Sequence, residues 1–260
     1  MKLDDLKKLH QKRYREELGY FLVEGEHLVL ELQKAALQNP ALGRCELYVT
    51  REHAHWHTAF TTHVLSNIQM AQIADTKTPQ GIIALVPLLP GAAPLPGTAR
   101  NGERAIYLHE IQDPGNLGTI LRTLAWFGNF RCLLSPGSVD PYNSKVVRAS
   151  MGALFHVPLE TDIELAALAT RFERIACLDM RGGSLQTASF GQFECYLFGN
   201  EARGIPREQL AAFDVTPFTI AGGGAIESLN LAAAVNMCAY ELNRQRVNLP
   251  PPPVSPGDVP

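Results

Sequence analysis

From residue 103 onward, short apolar runs of β character alternate with segments whose apolar residues recur at helical spacing, and this alternation restricts the possible folds more than any other feature. The β-like runs fall at 105–109, 130–134, 154–158, 175–178, 195–198 and 217–220, and the helical patterns at 117–127, 142–151, 163–172, 206–213 and 229–242. Strands separated by helices need crossover connections, so the expected fold class is α/β with a mostly parallel sheet covered on both faces. Such sheets bind ligands at the carboxyl ends of their strands. Upstream, 20–23, 46–50 and 81–87 read as strands and 26–36 and 66–74 as helices, which gives a smaller α/β domain in front of the larger one.

Pro and Gly crowd residues 88–102, a composition that neither a helix nor a central strand tolerates. The expected division is a small domain at 1–87, a linker at 88–102, a larger domain at 103–248 and a flexible Pro-rich tail at 249–260. A formal net charge of −3 excludes a globally basic nucleic-acid coat, so any nucleic-acid surface is local. No apolar run reaches the length of a membrane span, and the charged start lacks the apolar segment of a signal peptide. A soluble, cytoplasmic protein with no membrane partner is expected. The five cysteines, Cys45, Cys132, Cys177, Cys195 and Cys238, form no C-x-x-C pair and read as core thiols.

Three segments concentrate turn residues at strand ends and helix starts. In D-P-G-N-L-G-T-I-L-R-T, residues 113–123, Asn116 is placed to cap the following helix. Leu117, Ile120, Leu121, Leu124 and Ala125 form its apolar stripe, with Arg122 nearly opposite. An ordinary cap and an exposed arginine are the plainer interpretation. In L-F-G-N-E-A-R-G, residues 197–204, Gly199 ends an apolar run and permits close backbone approach. Asn200 and Glu201 follow at the turn, and the plainer interpretation of Glu201 and Arg203 is a surface ion pair with each other. In I-E-S-L-N-L-A-A-A, residues 226–234, a glycine-rich turn runs through Ser228, Leu229 and Asn230 into a helix apolar on nearly every side, expected in a core or an interface. These segments match neither G-x-G-x-x-G nor a P-loop, which argues against a nicotinamide oxidoreductase and against triphosphate binding.

Two further clusters carry alternatives. His53, His55, His57 and His63 read as a solvated surface or, less readily, as metal ligands, since no Cys or Asp accompanies them. The basic run Lys2, Lys7, Lys8, Lys12, Arg13 and Arg15 reads as a solvated helix face or as a phosphate-contacting surface.

Taken together and in order, the three segments resemble the motifs of the SpoU (TrmH-type) branch of the SPOUT methyltransferases. S-V-D-P-Y-N-S-K-V-V-R-A-S-M-G-A-L-F-H-V-P, residues 138–158, is similar to the stretch that the family carries between them. K-R-Y-R-E-E-L-G-Y-F-L-V-E-G-E and T-P-Q-G-I-I-A-L-V, more loosely, look like parts of the RNA-binding domain that often precedes the catalytic one. The resemblance implies a trefoil-knotted sheet, a homodimer, S-adenosylmethionine as cofactor, and methyl transfer to a ribose 2′-hydroxyl of RNA. Ribosomal RNA is the preferred partner and transfer RNA the second, with an inactive RNA-binding assembly factor as the alternative of another class. It further implies Asn116, Arg122, Glu201, Ser228 and Asn230 as the catalytic and ribose-positioning set, and Gly199, Ile220 and Leu229 as largely backbone contacts to the cofactor. One departure stands out: many relatives read I-P-M where this chain has Ile220, Ala221 and Gly222, followed by Gly223 and Gly224, a looser loop unless the cofactor orders it.

A sulfonium methyl is already activated, so the implied chemistry is chiefly alignment of the hydroxyl with the methyl–sulfur bond and easier loss of its proton, with no metal required. A guanidinium stays protonated in proteins, so Arg122 is expected to hold a phosphate or stabilise developing alkoxide rather than act as a base.

Overall fold

The computed structural model describes residues 1–89, 102–210, 214–223, 225 and 228–247. Most of the expected linker and the whole Pro-rich tail lie outside these residues, as does the end of the helix expected at 206–213.

The chain opens with α1 (Leu3–Lys8) and α2 (Lys12–Leu18), then β1 (Tyr20–Glu24), α3 (Glu26–Ala36), β2 (Glu46–Val49), β3 (Thr61–Val64), α4 (Asn67–Ile73) and β4 (Ile82–Pro87). These strands form one sheet in the order β1-β4-β2-β3, with β2 and β3 parallel and the other neighbours antiparallel. Leu28, Val29, Leu32 and Ala35 recur at i, i+1, i+4 and i+7 along α3 and are all buried, which fixes the face it turns to the sheet. Ser66 and Gln69 close a capping box at the start of α4. Strand β3 was not expected, because its alternation is absent: Thr61, Thr62 and Val64 are exposed and only main-chain pairing with β2 defines it.

The second unit comprises β5 (Arg104–Leu108), α5 (Pro114–Phe127), β6 (Phe130–Leu134), α6 (Ser144–Ser150), β7 (Leu159–Glu160), α7 (Leu168–Arg171), β8 (Ile175–Ser184), β9 (Cys195–Phe198), α8 (Arg207–Leu210), β10 (Val215–Thr219) and α9 (Leu231–Val247). The sheet runs β10-β8-β9-β5-β6-β7 with every neighbouring pair parallel, in agreement with the expected class. From β10, at one edge, the chain returns toward the middle of the sheet, where α9 packs on α5.

Two expected elements change form. The strand expected at 154–158 is a 3-10 turn, Ala153–Phe155, and only Leu159–Glu160 pair as strand. Met151 and Gly152 both take left-handed backbone there, and Pro158 has no N–H to give a ladder. The helix expected at 163–172 splits into a 3-10 turn, Leu165–Ala167, and the single turn of α7.

One apolar core runs through both units, joining Phe21, Leu32 and Val86 to Ile106, Leu121 and Val147. Arg15, expected on a solvated face, is instead buried at this junction, bonded to the Asp140 carboxylate and, at 2.7 Å, to the Leu9 carbonyl. Asp75 accepts from Arg148 at 2.7 Å and from Ser144 at 2.8 Å, and the rings of Phe21 and Tyr142 lie 4.8 Å apart. All five cysteines are buried free thiols; burial alone pushes Cys45, Cys132 and Cys238 up to about 12. They are core groups, as expected.

Candidate active site

Asp113, not Asn116, caps α5: its Oδ1 accepts the Asn116 main-chain N–H at 2.7 Å, and Pro114 fills the first helical position, where no N–H is needed. The expected cap was therefore assigned three residues too late. The consequence is chemical, because the Asn116 side chain is spared for other work. Its Nδ2 donates to Glu201 Oε1 at 3.2 Å, and its Oδ1 accepts from Asn230 Nδ2 at 2.9 Å.

Glu201 reaches Asn116 from a tight loop after β9. Asn200, buried to 7% exposure, organises that loop with both ends of its amide. Its Oδ1 accepts the N–H groups of Ala202 at 3.0 Å and Arg203 at 3.1 Å, while its Nδ2 donates to the Glu110 carbonyl at 2.8 Å. Main-chain bonds between Asn200 and Gly204 close the turn. Gly204 has φ +68°, and a Cβ on Gly199 would lie 2.4 Å from the Gly204 carbonyl carbon, so both positions demand glycine. Glu201 and Arg203 are therefore presented on a rigid support.

Asn230 enters at the start of α9. Its Oδ1 accepts the Ala233 N–H at 3.2 Å, and the other end of the amide is thereby aimed at Asn116. The three side chains form one directed chain, Asn230 to Asn116 to Glu201, drawn from three separate segments at the carboxyl side of the parallel sheet. Ser228 and Leu229 are exposed on the same turn, Leu229 by 44%, and Ile220 is partly buried just past β10. Beside them, a Cβ placed on Gly222 or Gly223 would meet nothing within 4 Å, so this glycine turn borders open space.

Arg122 does not join that chain. It lies on the exposed side of α5, away from the buried stripe as expected, and makes no hydrogen bond or ion pair among the described residues. Trp126, one turn further along, is 84% exposed. Arg203 pairs with Glu110 at 2.5 Å, not with Glu201. Asp113 and Glu110 were not singled out from sequence, and Asn200 only as a turn residue beside Glu201. The D-P step before a helical pattern was a readable cap, whereas nothing local marks Glu110. Two members of the histidine cluster face carboxylates, His53 with Glu26 at 2.8 Å and His63 with Glu46 at 2.9 Å. Among the described residues, no group of three His, Cys, Asp or Glu is placed to hold a metal ion.

Residues 103–240 match the SpoU rRNA Methylase family, and residues 2–84 match the MRM3-like substrate binding domain. The chain is 32% identical over 250 residues to the 23S rRNA (guanosine(2553)-2′-O)-methyltransferase RlmP of Bacillus subtilis, covering 93% of this chain and 95% of that protein. Among solved structures, a TrmH-family protein from Porphyromonas gingivalis superimposes with a TM-score of 0.77 at 31% identity, over 94% of this chain and 97% of that one. The SpoU methyltransferase AviRb of Streptomyces viridochromogenes, crystallised with its cofactor AdoMet, shares the fold at 20% identity, with a TM-score of 0.79 over 95% of this chain and 98% of its own. The chain belongs to the SpoU rRNA methylase family.

Proposed function

We propose that this protein transfers a methyl group from S-adenosylmethionine to a ribose 2′-hydroxyl of ribosomal RNA. The observation that carries the reading is the Asn230–Asn116–Glu201 chain, which turns three sequence motifs into one polar surface at the ligand-binding end of the sheet. The B. subtilis relative supports the substrate class, since its name specifies a 2′-O-methylation of 23S rRNA.

The residues present fit the cofactor. Ile220 and Leu229 flank in sequence the turn whose Gly222 and Gly223 face open space, where backbone groups are accessible to an adenosyl ligand, and Gly199 ends β9 at the same carboxyl side of the sheet. When bound there, S-adenosylmethionine supplies an electrophilic methyl. The protein's own task is alignment and charge. Asn116 and Asn230 fix Glu201, whose carboxylate is an acceptor for a ribose hydroxyl; Ser228 adds a hydroxyl on the same turn. Arg122 supplies the positive charge that eases alkoxide formation.

Residues 1–87 are assigned to substrate recognition and 103–248 to catalysis, joined by the linker at 88–102 and followed by the tail at 249–260. No helix among the described residues is long and apolar enough to cross a membrane. The proposed place of action is the cytoplasm, on the ground that the Bacillus subtilis relative is named for 23S rRNA. The functional unit is a homodimer. Trp126 on α5 and Met237 and Tyr240 on α9 leave apolar side chains 84%, 44% and 59% exposed along two helices that pack together. A second copy covering this seam places Arg122 inside the assembly, next to a site it does not reach within one chain.

The test is calorimetric titration with S-adenosylmethionine, followed by transfer of labelled methyl to transcribed ribosomal and transfer RNA. Binding with label in ribosomal RNA, in a nucleotide then resistant to alkaline cleavage, is the expected result. Label confined to transfer RNA would overturn the substrate class, and absence of cofactor binding would overturn the activity.

A further inference from the structure

We propose that Arg203 binds a phosphate of the RNA backbone next to the target ribose, and that Glu110 holds its guanidinium in place until RNA arrives. The inference rests on the proposed function and adds a substrate-binding residue to it.

The loop that projects Glu201 toward Asn116 projects Arg203 two residues later, and both side chains are exposed. Every internal ribose in RNA is flanked by two phosphates, so a guanidinium launched from the same turn as the ribose-facing carboxylate meets one of them. The launch point is rigid, because the Arg203 N–H is bonded to Asn200 Oδ1 at 3.1 Å.

Glu110 is held in a conformation that a glutamate rarely adopts, with φ +47°. Its N–H donates to Ser135 Oγ at 2.7 Å, and its carbonyl accepts from Asn200 Nδ2 at 2.8 Å and Gln112 Nε2 at 3.0 Å. Left-handed backbone at a residue with a Cβ persists where its surroundings over-determine it, and such positions cluster at functional sites. Here that backbone sets the carboxylate against Arg203.

The pair is short, at 2.5 Å, yet its side chains are 70% and 36% exposed. Ion pairs so open to water contribute little net stability, so exchanging the carboxylate for a phosphate costs little. The phosphate offers bidentate, charge-assisted bonds matched to a guanidinium. Arg122 is launched from α5 and Arg203 from the loop after β9, and the two arginines divide the work: phosphate for Arg203, alkoxide for Arg122.

The test compares Arg203→Ala, Arg203→Lys and Glu110→Gln with the wild-type protein, using transcribed ribosomal RNA. RNA affinity over a salt series, methyl-transfer kinetics and S-adenosylmethionine binding are measured for each. Arg203→Ala is expected to raise KM for RNA by about ten- to hundredfold, with kcat and cofactor affinity unchanged. It should also lower the slope of log affinity against log salt by about one. Arg203→Lys recovers part of the loss. Glu110→Gln, which removes the competing carboxylate charge, lowers KM by up to about fivefold. An active wild-type protein with unchanged KM and salt slope in Arg203→Ala overturns the assignment of Arg203 alone. A rise in KM for Glu110→Gln equal to that of Arg203→Ala shows the pair to be structural and overturns it as well. A wild-type protein that methylates no RNA overturns the functional reading, and this inference with it.

Discussion

Asp113 Oδ1 accepts the main-chain N–H of Asn116 at 2.7 Å, so the first turn of α5 is closed by a residue outside the site and the Asn116 amide is left free to link Glu201 with Asn230. Asp113→Ala removes a helix cap and is expected to cost about 1 kcal/mol of stability. It also loosens the Asn116 backbone, so kcat falls. Asn116→Ala leaves the cap in place and interrupts the amide chain. Urea denaturation and methyl-transfer rates, measured on both variants, should show stability lost chiefly in Asp113→Ala and activity lost more deeply in Asn116→Ala. Equal activity in Asn116→Ala and wild type removes that residue from the site.

Helices α5 and α6 meet at Gly118, where an added Cβ would lie 2.4 Å from Ala149 Cβ and 2.9 Å from the Ser150 nitrogen. Alanine is worth about 1 kcal/mol more than glycine in an open helix. In this contact the overlap wins, since the backbone of α6 must move, at a cost of about 1–3 kcal/mol. Gly118→Ala should therefore lower Tm rather than raise it. A raised Tm means the two helices separate more easily than their packing indicates.

How much of this was readable in the chain depends on the range of the interaction. The parallel sheet was legible because strand and helix periods alternate, and the α5 stripe of Leu117, Ile120, Leu121 and Leu124 because it repeats every turn. Asn116, Glu201 and Asn230 were legible as motif positions, but their contact spans 85 and 114 residues of sequence and only the fold expresses it. Arg15 was misread for the same reason. Its own helix looks solvated, and what buries it is Asp140, 125 residues away. Glu110 left no trace, since Ser135 and Asn200, which hold its left-handed backbone, lie 25 and 90 residues away.

Asp75 ties the first unit to α6. Partial burial pushes its carboxyl up, but hydrogen bonds from Arg148 and Ser144 outweigh this and hold it below its ordinary value of 3.8. A carboxylate whose folded pKa is depressed stabilises the fold above its unfolded pKa and loses that contribution as pH falls through the folded value. The tie is therefore fully present at neutral pH and weakens below about pH 4. Asp75→Asn should be less stable than wild type at pH 7, with the difference shrinking as the solution is acidified through this range. Denaturation midpoints at pH 7 and pH 3 test this, and a difference that does not shrink assigns the stabilisation to something other than the ionised carboxylate.

Arg122 has no partner to lose within the described residues, and its α5 neighbours on the buried side do not depend on it. Arg122→Ala is expected to change stability by no more than about 0.5 kcal/mol. Removal of a preorganised charge from the transition state nevertheless lowers kcat by about a hundredfold or more. Binding of S-adenosylmethionine should persist. Retained turnover would remove Arg122 from the catalytic set.

The seam formed by Trp126, Met237 and Tyr240 gives the dimer its own test. Trp126 is 84% exposed, so a charge there meets water in a monomer and costs nothing in the core. In a dimer the same charge is buried without a partner, which costs several kcal/mol and disfavours association. Trp126→Glu should thus keep the circular dichroism spectrum and Tm of an isolated fold while its mass by light scattering falls from two chains to one. Because Arg122 stands one helical turn from Trp126, methyl transfer should disappear with the dimer. A monomeric variant that remains fully active would show that one chain holds a complete site.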